Sequence, residues 1–343
     1  MSKDLNKKSI GALMMDNAII IVLLLLLIGF VLKDPAFLSL TNLTNILSQS
    51  STSIIIALGV AGLIVTQGTD LSAGRMVGLA AVISGSLLQS PENVSRMYQV
   101  LPSFLSGQYI IVATLIACIV CGFLGFLNGV VIAKLKVTPF ITTLGSMIII
   151  YGLSSMYIDR EPNGAQPIGG LAQHFTDFVQ GGFDIGSFRL PYLLIYATII
   201  TVLMWILWNK TRFGKNMFAI GGNPEAAVVS GVNIDKTLMI VYTLAGVLYG
   251  FAGTLEAARV GSATNNTGNM YELDAIAACV VGGVSFSGGI GKIGGVVIGV
   301  LMFQLISYGL NFSGVSPYWQ FIIKGLIIIA AVAIDTRKYL KKK

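Results

Sequence analysis

Apolar runs of about twenty residues follow one another along this chain, separated by short polar stretches. A helix rises 1.5 Å per residue, so roughly 20 apolar residues cross a hydrocarbon core ~30 Å thick. Ten runs meet that description and are predicted as membrane spans: 17–33, 52–67, 75–89, 109–133, 140–158, 191–209, 237–258, 273–287, 290–310 and 318–336. The eighth is short and glycine-rich, so a broken or half-crossing helix is expected there, and another around Gly68-Thr69-Asp70. The fold class that follows is all-α and integral to the membrane: a polytopic bundle of about ten helices. Residues 1–343 form a single transmembrane domain, with about 17–336 embedded.

Composition supports the pattern. The chain is 55% hydrophobic and 11% charged, with mean hydropathy +0.81, whereas soluble domains carry about 25% charged residues. Forty glycines suit helices that pack closely in lipid. Gly125/Gly129, Gly246/Gly250 and Gly291/Gly295/Gly299 carry the small-residue spacing of such contacts. Lys3, Lys7 and Lys8 precede the first run as in a signal peptide, but no small-residue cleavage site follows before Asp34-Pro35, so the run is expected to stay as a span. Cys118, Cys121 and Cys279 lie in apolar runs, with no spacing for a disulfide framework or a metal.

An even number of spans places both termini on one side. Sixteen of the 22 Lys and Arg residues fall in the tails and loops of that side; Lys33, Arg96, Arg160, Arg189 and Arg259 fall on the other, and Lys324 lies inside the last span. Cytoplasmic loops carry such an excess, so both termini are predicted to be cytoplasmic. The net charge of +7 then needs no nucleic acid to explain it. The longest outer loop, 159–190, holds Pro162, Pro167 and the one histidine, His174; it is either a solvated connector or a surface for a partner.

The inner loop 209–236 specifies a short helix. Asn223 is a good N-cap, Pro224 suits the first helical position, and Glu225 sits where the helix dipole favours an anion. Ala226, Ala227, Val228, Val229 and Ser230 fill about two turns, and Gly231 can take the left-handed stop. So short a helix is unstable alone in water. Nothing in the loop looks able to bury it, and its Ala-Ala-Val-Val face is expected to enter a groove on a cytoplasmic partner.

Glu225-Ala226-Ala227, three residues and Gly231 match the EAA-x-x-x-G core of permeases of binding-protein-dependent ABC importers. The further I-x-L-P pattern is absent, as in the branch that handles monosaccharides. GTDLSAGR (68–75), VTPFITTLGSM (137–147), NKTRFGKNMFAIGGNPEAA (209–227) and MYELDAIAACVVGGVSFSGGIG (270–291) resemble the ribose/galactose permease family. The wording is nearest to its galactose/methyl-galactoside branch, and the likeness runs from about residue 33 to the C-terminus. The resemblance implies a homodimer in the bacterial inner membrane. It also implies a periplasmic sugar-binding protein and a cytoplasmic ATPase with two nucleotide-binding halves, which binds ATP and Mg. The ATPase would engage this chain through Asn223, Pro224, Glu225, Ala226, Ala227 and Gly231.

Two glycine motifs mislead. Gly289–Gly294 fits G-x-G-x-x-G but lies between membrane runs rather than between a strand and a helix. Gly291-Lys292 is followed by Ile293 where a P-loop needs Ser or Thr. The chain therefore shows no ATP site of its own and no cofactor motif. With one histidine and no triad or ligand spacing, an intramembrane enzyme is not expected.

Ionisable residues inside spans are functional candidates. Glu256, Arg259, Glu272 and Asp274 gather near the outer ends of spans seven and eight, either as a docking surface or gate, or as interfacial ion pairs. Asp70 and Arg75 flank the inner break, shaping a gate or capping helix ends. A sugar path needs hydroxyl partners without strong charge. Asn128, Thr142, Asn265, Asn266, Gln304 and Tyr308 are candidates, as are Thr143 and Asn311, though such residues also serve as interhelical glue. The rival reading is an ion-coupled secondary sugar transporter, which would need a buried carboxylate relay or an ion site at broken helices.

Overall fold

The computed structural model describes residues 27–100 and 109–340. In chain order the helices are α1 (Leu40–Val65), α2 (Ala73–Leu87), α3 (Ile110–Lys134), α4 (Pro139–Asp159), α5 (Gln173–Gln180), α6 (Tyr192–Lys210), α7 (Arg212–Gly222), α8 (Pro224–Val229), α9 (Ile234–Val260), α10 (Tyr271–Val281), α11 (Ile293–Phe312) and α12 (Pro317–Leu340). A hairpin of β1 (Gly182–Ile185) and β2 (Phe188–Pro191) pairs antiparallel. Among the described residues six helices are long and apolar enough to cross a membrane: α1, α3, α4, α6, α9 and α11. The first expected span lies mostly outside the described residues; residues 27–33 of it are helical.

Of these six helices α1 is the most buried. Of its most apolar stretch 83% is buried, against 22% in α4 and in α6. The outer helices instead turn large apolar side chains outward, among them Ile119 and Phe123 of α3 and Ile148 and Met156 of α4, as lipid requires. Helix α9 lies against α3, and glycines set the approach. A Cβ on Gly125 would strike the Tyr242 carbonyl, and one on Gly246 the Cys121 carbonyl. Gly295 and Gly299 bring α11 as close to the Gly282 and Ala278 carbonyls of α10. All three small-residue spacings thus mark helix contacts.

Helix α1 begins twelve residues before the expected start of that span. Residues 40–51, left between the first two expected spans, are helical, and three hydroxyls of the polar run 48–53 bond back along the helix. Ser48 donates to the Thr44 carbonyl, Ser51 to Leu47 and Ser53 to Gln49. That satisfies them in an apolar interior.

Two breaks in the helices of the described residues bear on the interior. Residues 66–72 between α1 and α2 are not helical, and side chains satisfy their buried backbone. Tyr242 donates to the Thr69 carbonyl, Leu71 N–H donates to Thr143 Oγ1, and Asp70 accepts from Ser72 N–H. Non-helical backbone at membrane depth is tolerated only when buried in protein this way. The second break is residues 261–270, which descend alongside α2. Ala263 lies by Gly85, the Thr267 carbonyl by Gly78 and the Gly268 carbonyl by Gly74. Helix α10 then has 11 residues, ~16 Å, too short to cross. It stops at Val281 rather than near 287. Helix α2, with 15 residues, reaches ~22 Å.

Arg75, counted with the inner loops, sits beside the middle of α4, its guanidinium 4.6 Å from the Tyr151 ring centroid. It donates to the Asn265 carbonyl and to Asn269 Oδ1. The outer loop is no bare connector: Phe175 and Val179 are buried, and backbone bridges join Leu171 to Gln89 and Ile168 to Ala263.

Candidate functional site

The site starts with helical spacing on α1. Thr41, Asn45, Ser48 and Thr52 recur at intervals of three or four, with Gln49 and Ser53 beside them, so one face is polar for ~18 Å from the hairpin end inward. Two cavities lie along this face. The outer one, about 450 Å³, is edged by Thr41, Asn45, Ser48, Gln180 and Arg189. The inner one, about 180 Å³, lies between α1, α9, α10, α11 and α12. Gln49 and Arg259 line both, so the two cavities are neighbours. Ile56, Ala275, Ala278, Val300 and Phe303 form the apolar part of the inner lining.

Two ion pairs wall the inner cavity. Glu256, only 1% exposed, accepts from Arg259 Nε at 2.8 Å and Nη2 at 2.6 Å, and from the Tyr271 hydroxyl at 2.8 Å. The i, i+3 spacing on α9 makes the bidentate pair, as expected. On the other side Lys324 Nζ lies 2.7 Å from Asp274 Oδ2 and 5.6 Å from the Phe303 ring centroid. Between them Gln304 Nε2 donates to Gln49 Oε1 at 2.9 Å. The lining carries two acids and two bases, each paired within the wall, so it presents hydrogen-bonding groups without an unpaired charge.

The expected site residues separate into groups. Glu256, Arg259, Asp274 and Gln304 meet in this cavity. Tyr308 stands above it, donating to Asn42 Oδ1 and accepting from Asn45. Glu256 and Glu272 are buried, so neither presents a surface to a docking partner; Glu272 lies against Gly74 instead. Asn265 and Asn266 belong to the descending segment 261–270, where Asn265 donates to Ser155 Oγ. Asn128 is buried and donates to Ser72 Oγ. With Thr142 it edges an apolar groove between α3 and α4, away from the cavity. Gln49, Thr52, Ser53, Tyr271 and Ser307 also line the cavity and went unrecognised in the sequence. The three-and-four spacing in 41–53 was the clue to those on α1. No group of three His, Cys, Asp or Glu residues that could hold a metal occurs among the described residues.

At the opposite end α7 and α8 follow one another with only Asn223 between them. Asn223 Oδ1 accepts from Ala226 N–H at 3.0 Å, capping α8. Gly231 N–H donates to the Val228 carbonyl and Val232 N–H to the Ala227 carbonyl, with Gly231 at φ +81°. That is the paired termination a left-handed glycine allows. The loop does bury part of its own helix: Ala227 is buried, whereas Glu225, Ala226, Val228 and Val229 face out, Val229 at 90% exposure. The expectation that nothing in the loop could cover α8 overlooked α7, which Thr211 caps by accepting from Gly214 N–H.

Apolar helices of spanning length around a polar cavity make this a multi-pass membrane transport protein. Residues 42–332 match the family described as branched-chain amino acid transport system / permease component, and the chain belongs to that family of permeases. It is 59% identical over 339 residues, 99% of each chain, to the galactose/methyl galactoside import permease protein MglC of Escherichia coli (strain K12). It is 58% identical over 340 residues, again 99% of each, to MglC of Haemophilus influenzae (strain ATCC 51907 / DSM 11121 / KW20 / Rd). To the ribose import permease protein RbsC of Bacillus subtilis (strain 168) it is 36% identical, over 92% of this chain and 91% of that one. No solved structure matches. As a permease component the chain is a transport subunit rather than an enzyme.

Proposed function

We propose that this chain is the membrane-spanning subunit of an ABC importer that carries galactose and methyl galactosides inward. One observation carries the reading. A cavity with internally balanced charge adjoins a second cavity at the hairpin end, while a capped, outward-facing helix stands at the other end. The first suits a neutral, hydroxyl-rich cargo; the second suits a partner that supplies force.

The family description names amino acids, whereas the relatives above are sugar permeases. An amino acid zwitterion needs an unpaired anion and an unpaired cation to meet its two poles. In the inner cavity Glu256 is matched to Arg259 and Asp274 to Lys324, which favours the sugar.

The finer assignments form part of the same proposal. The chain has ten membrane segments, with α2 and α10 as partial crossings, and lies in the bacterial inner membrane. Both termini are cytoplasmic, so the hairpin end is periplasmic and receives a sugar-binding protein. Two copies form a homodimer. An ATPase with two nucleotide-binding halves, holding ATP and Mg, docks on the two α8 helices through Glu225, Ala226, Val228 and Val229. Its closure pulls α8, and α9 moves with it because only residues 230–233 separate the two helices.

The test is uptake of labelled galactose by proteoliposomes holding this chain, its ATPase and the binding protein. Uptake that needs ATP and the ATPase supports the reading. Uptake by the permease alone, driven by an ion gradient, sinks it in favour of the secondary transporter.

A further inference from the structure

We infer that the inner cavity between α1, α9, α10, α11 and α12 is itself a galactose-binding site, so the permease selects its cargo as well as conducting it; this rests on the importer reading above. A recognition site for a sugar needs several hydrogen-bonding groups converging on a small volume, one or more apolar or aromatic faces, and no net charge. The cavity supplies each. The volume is about 180 Å³, room for a small solute and not for a chain of them. Gln49 and Gln304 share one hydrogen bond, and a primary amide has two donor hydrogens and an oxygen with two lone pairs. Both amides therefore keep donor and acceptor positions for a ligand. Ser53 and Ser307 add hydroxyls, and Phe303 adds a ring. Small-molecule sites combine apolar walls with a few placed polar groups in this way.

The ion pairs do a second task. Glu256 is fixed by three donors, two from Arg259 and one from Tyr271. Lys324 is fixed by Asp274. Charged groups tied to each other still accept or donate to sugar hydroxyls, and charge-assisted bonds are the stronger kind. Because the charges cancel, an anionic or cationic solute gains nothing over a neutral one. The polar face of α1 extends this chemistry outward. Asn45 and Ser48 line the outer cavity and Gln49 lines both, so a sugar released at the hairpin end passes from hydroxyl partner to hydroxyl partner. The lining turns apolar at Ile56 and Val300, where a polar solute would stop until the helices move.

The experiment uses the complete permease–ATPase complex in nanodiscs, without binding protein or nucleotide, and measures equilibrium binding of D-galactose, D-galacturonate and L-leucine. Galactose is expected to bind saturably and leucine not to compete. Gln49→Ala and Gln304→Ala should each weaken galactose binding about five- to tenfold, the worth of one or two hydrogen bonds. Asp274→Asn leaves the cavity with an extra positive charge and should raise the preference for galacturonate over galactose about tenfold. If that variant fails to assemble, Gln304→Lys adds the same charge without orphaning Lys324, and the same rise is expected. A merely structural role for these residues would lower binding without changing the preference. If wild type binds no galactose, or if both alanine variants bind like wild type and the preference stays fixed, the site is overturned. Galactose uptake by the complete importer is read in parallel. Normal uptake alongside those failures leaves the importer reading standing, whereas no galactose uptake at all brings down both.

Discussion

At the residue scale the decisive positions are those where backbone leaves no room for a side chain or where φ is positive. Gly231, at φ +81°, has nothing within 4 Å of where a Cβ would sit, so a substitution there strains the chain without causing a clash. Gly231→Val should cost ~1–3 kcal/mol of local strain and unwind the end of α8. Gly231→Asn should be milder, since asparagine tolerates that conformation. The readout is the ATPase that co-purifies with the tagged permease in mild detergent: lost with Val, largely kept with Asn, and membrane insertion normal in both. Gly246 shows the opposite physics. Its φ is ordinary, but an added Cβ meets the Cys121 carbonyl of α3. Gly246→Val should force α9 and α3 apart at ~1–3 kcal/mol, seen as a lower thermal midpoint of the purified protein. An unchanged midpoint would mean that the two helices are not so closely packed.

At the scale of elements, α8 illustrates how a six-residue helix persists. Its own length gives it no stability; a cap, a paired termination and one buried residue, Ala227, anchor it to α7. What stays outward is therefore available to a partner. Val229→Asp changes a side chain that touches almost nothing in this chain. It should leave folding intact while reducing ATPase docking, measured by ATP hydrolysis stimulated by the loaded binding protein. Normal stimulation would remove Val229 from the docking face. The pair of α10 and α12 makes a second case. Breaking a fully buried ion pair costs about 3–5 kcal/mol, but Lys324 and Asp274 keep 20% and 31% of their side-chain surface exposed, so solvent screening reduces this to about 1–2 kcal/mol. Lys324→Met alone should destabilise by that amount. Lys324→Met with Asp274→Leu should recover most of it, and a thermal double-mutant cycle with no coupling would deny the pair.

At the scale of the whole molecule, the cavity makes a claim about sidedness. In whole cells, with Cys118 replaced by alanine, a membrane-impermeant maleimide applied from outside should label Asn45→Cys rapidly and Ser53→Cys more slowly. Ile56→Cys, deeper in the lining, should resist. Cys121 and Cys279 are buried and stay silent. Labelling of Val229→Cys from outside, and not of Asn45→Cys, would invert the proposed orientation.

Sequence alone determined the class of this protein, because spanning a bilayer leaves its mark one helix at a time. Each crossing needs its own apolar run, and α3, α4, α6, α9 and α11 fall within about three residues of the runs read from the chain. The ends of α8 were legible for the same reason: Asn223, Pro224 and Gly231 act on backbone within a few residues of themselves. Where polar residues lie inside the membrane, local reading failed. The second expected span began at 52, short of the helix that starts at Leu40, because hydropathy counts side chains and not the carbonyls to which they bond. Tertiary structure decided that the run at 48–53 is the polar wall of a cavity, that Arg75 lies at mid-depth, and that residues 261–270 turn back along α2. It also joined Gln49 to Gln304 and Asp274 to Lys324, residues 255 and 50 positions apart. A site built from five helices is a property of their packing, and helix packing in lipid is set by shape complementarity between distant segments, which no single stretch of the chain records.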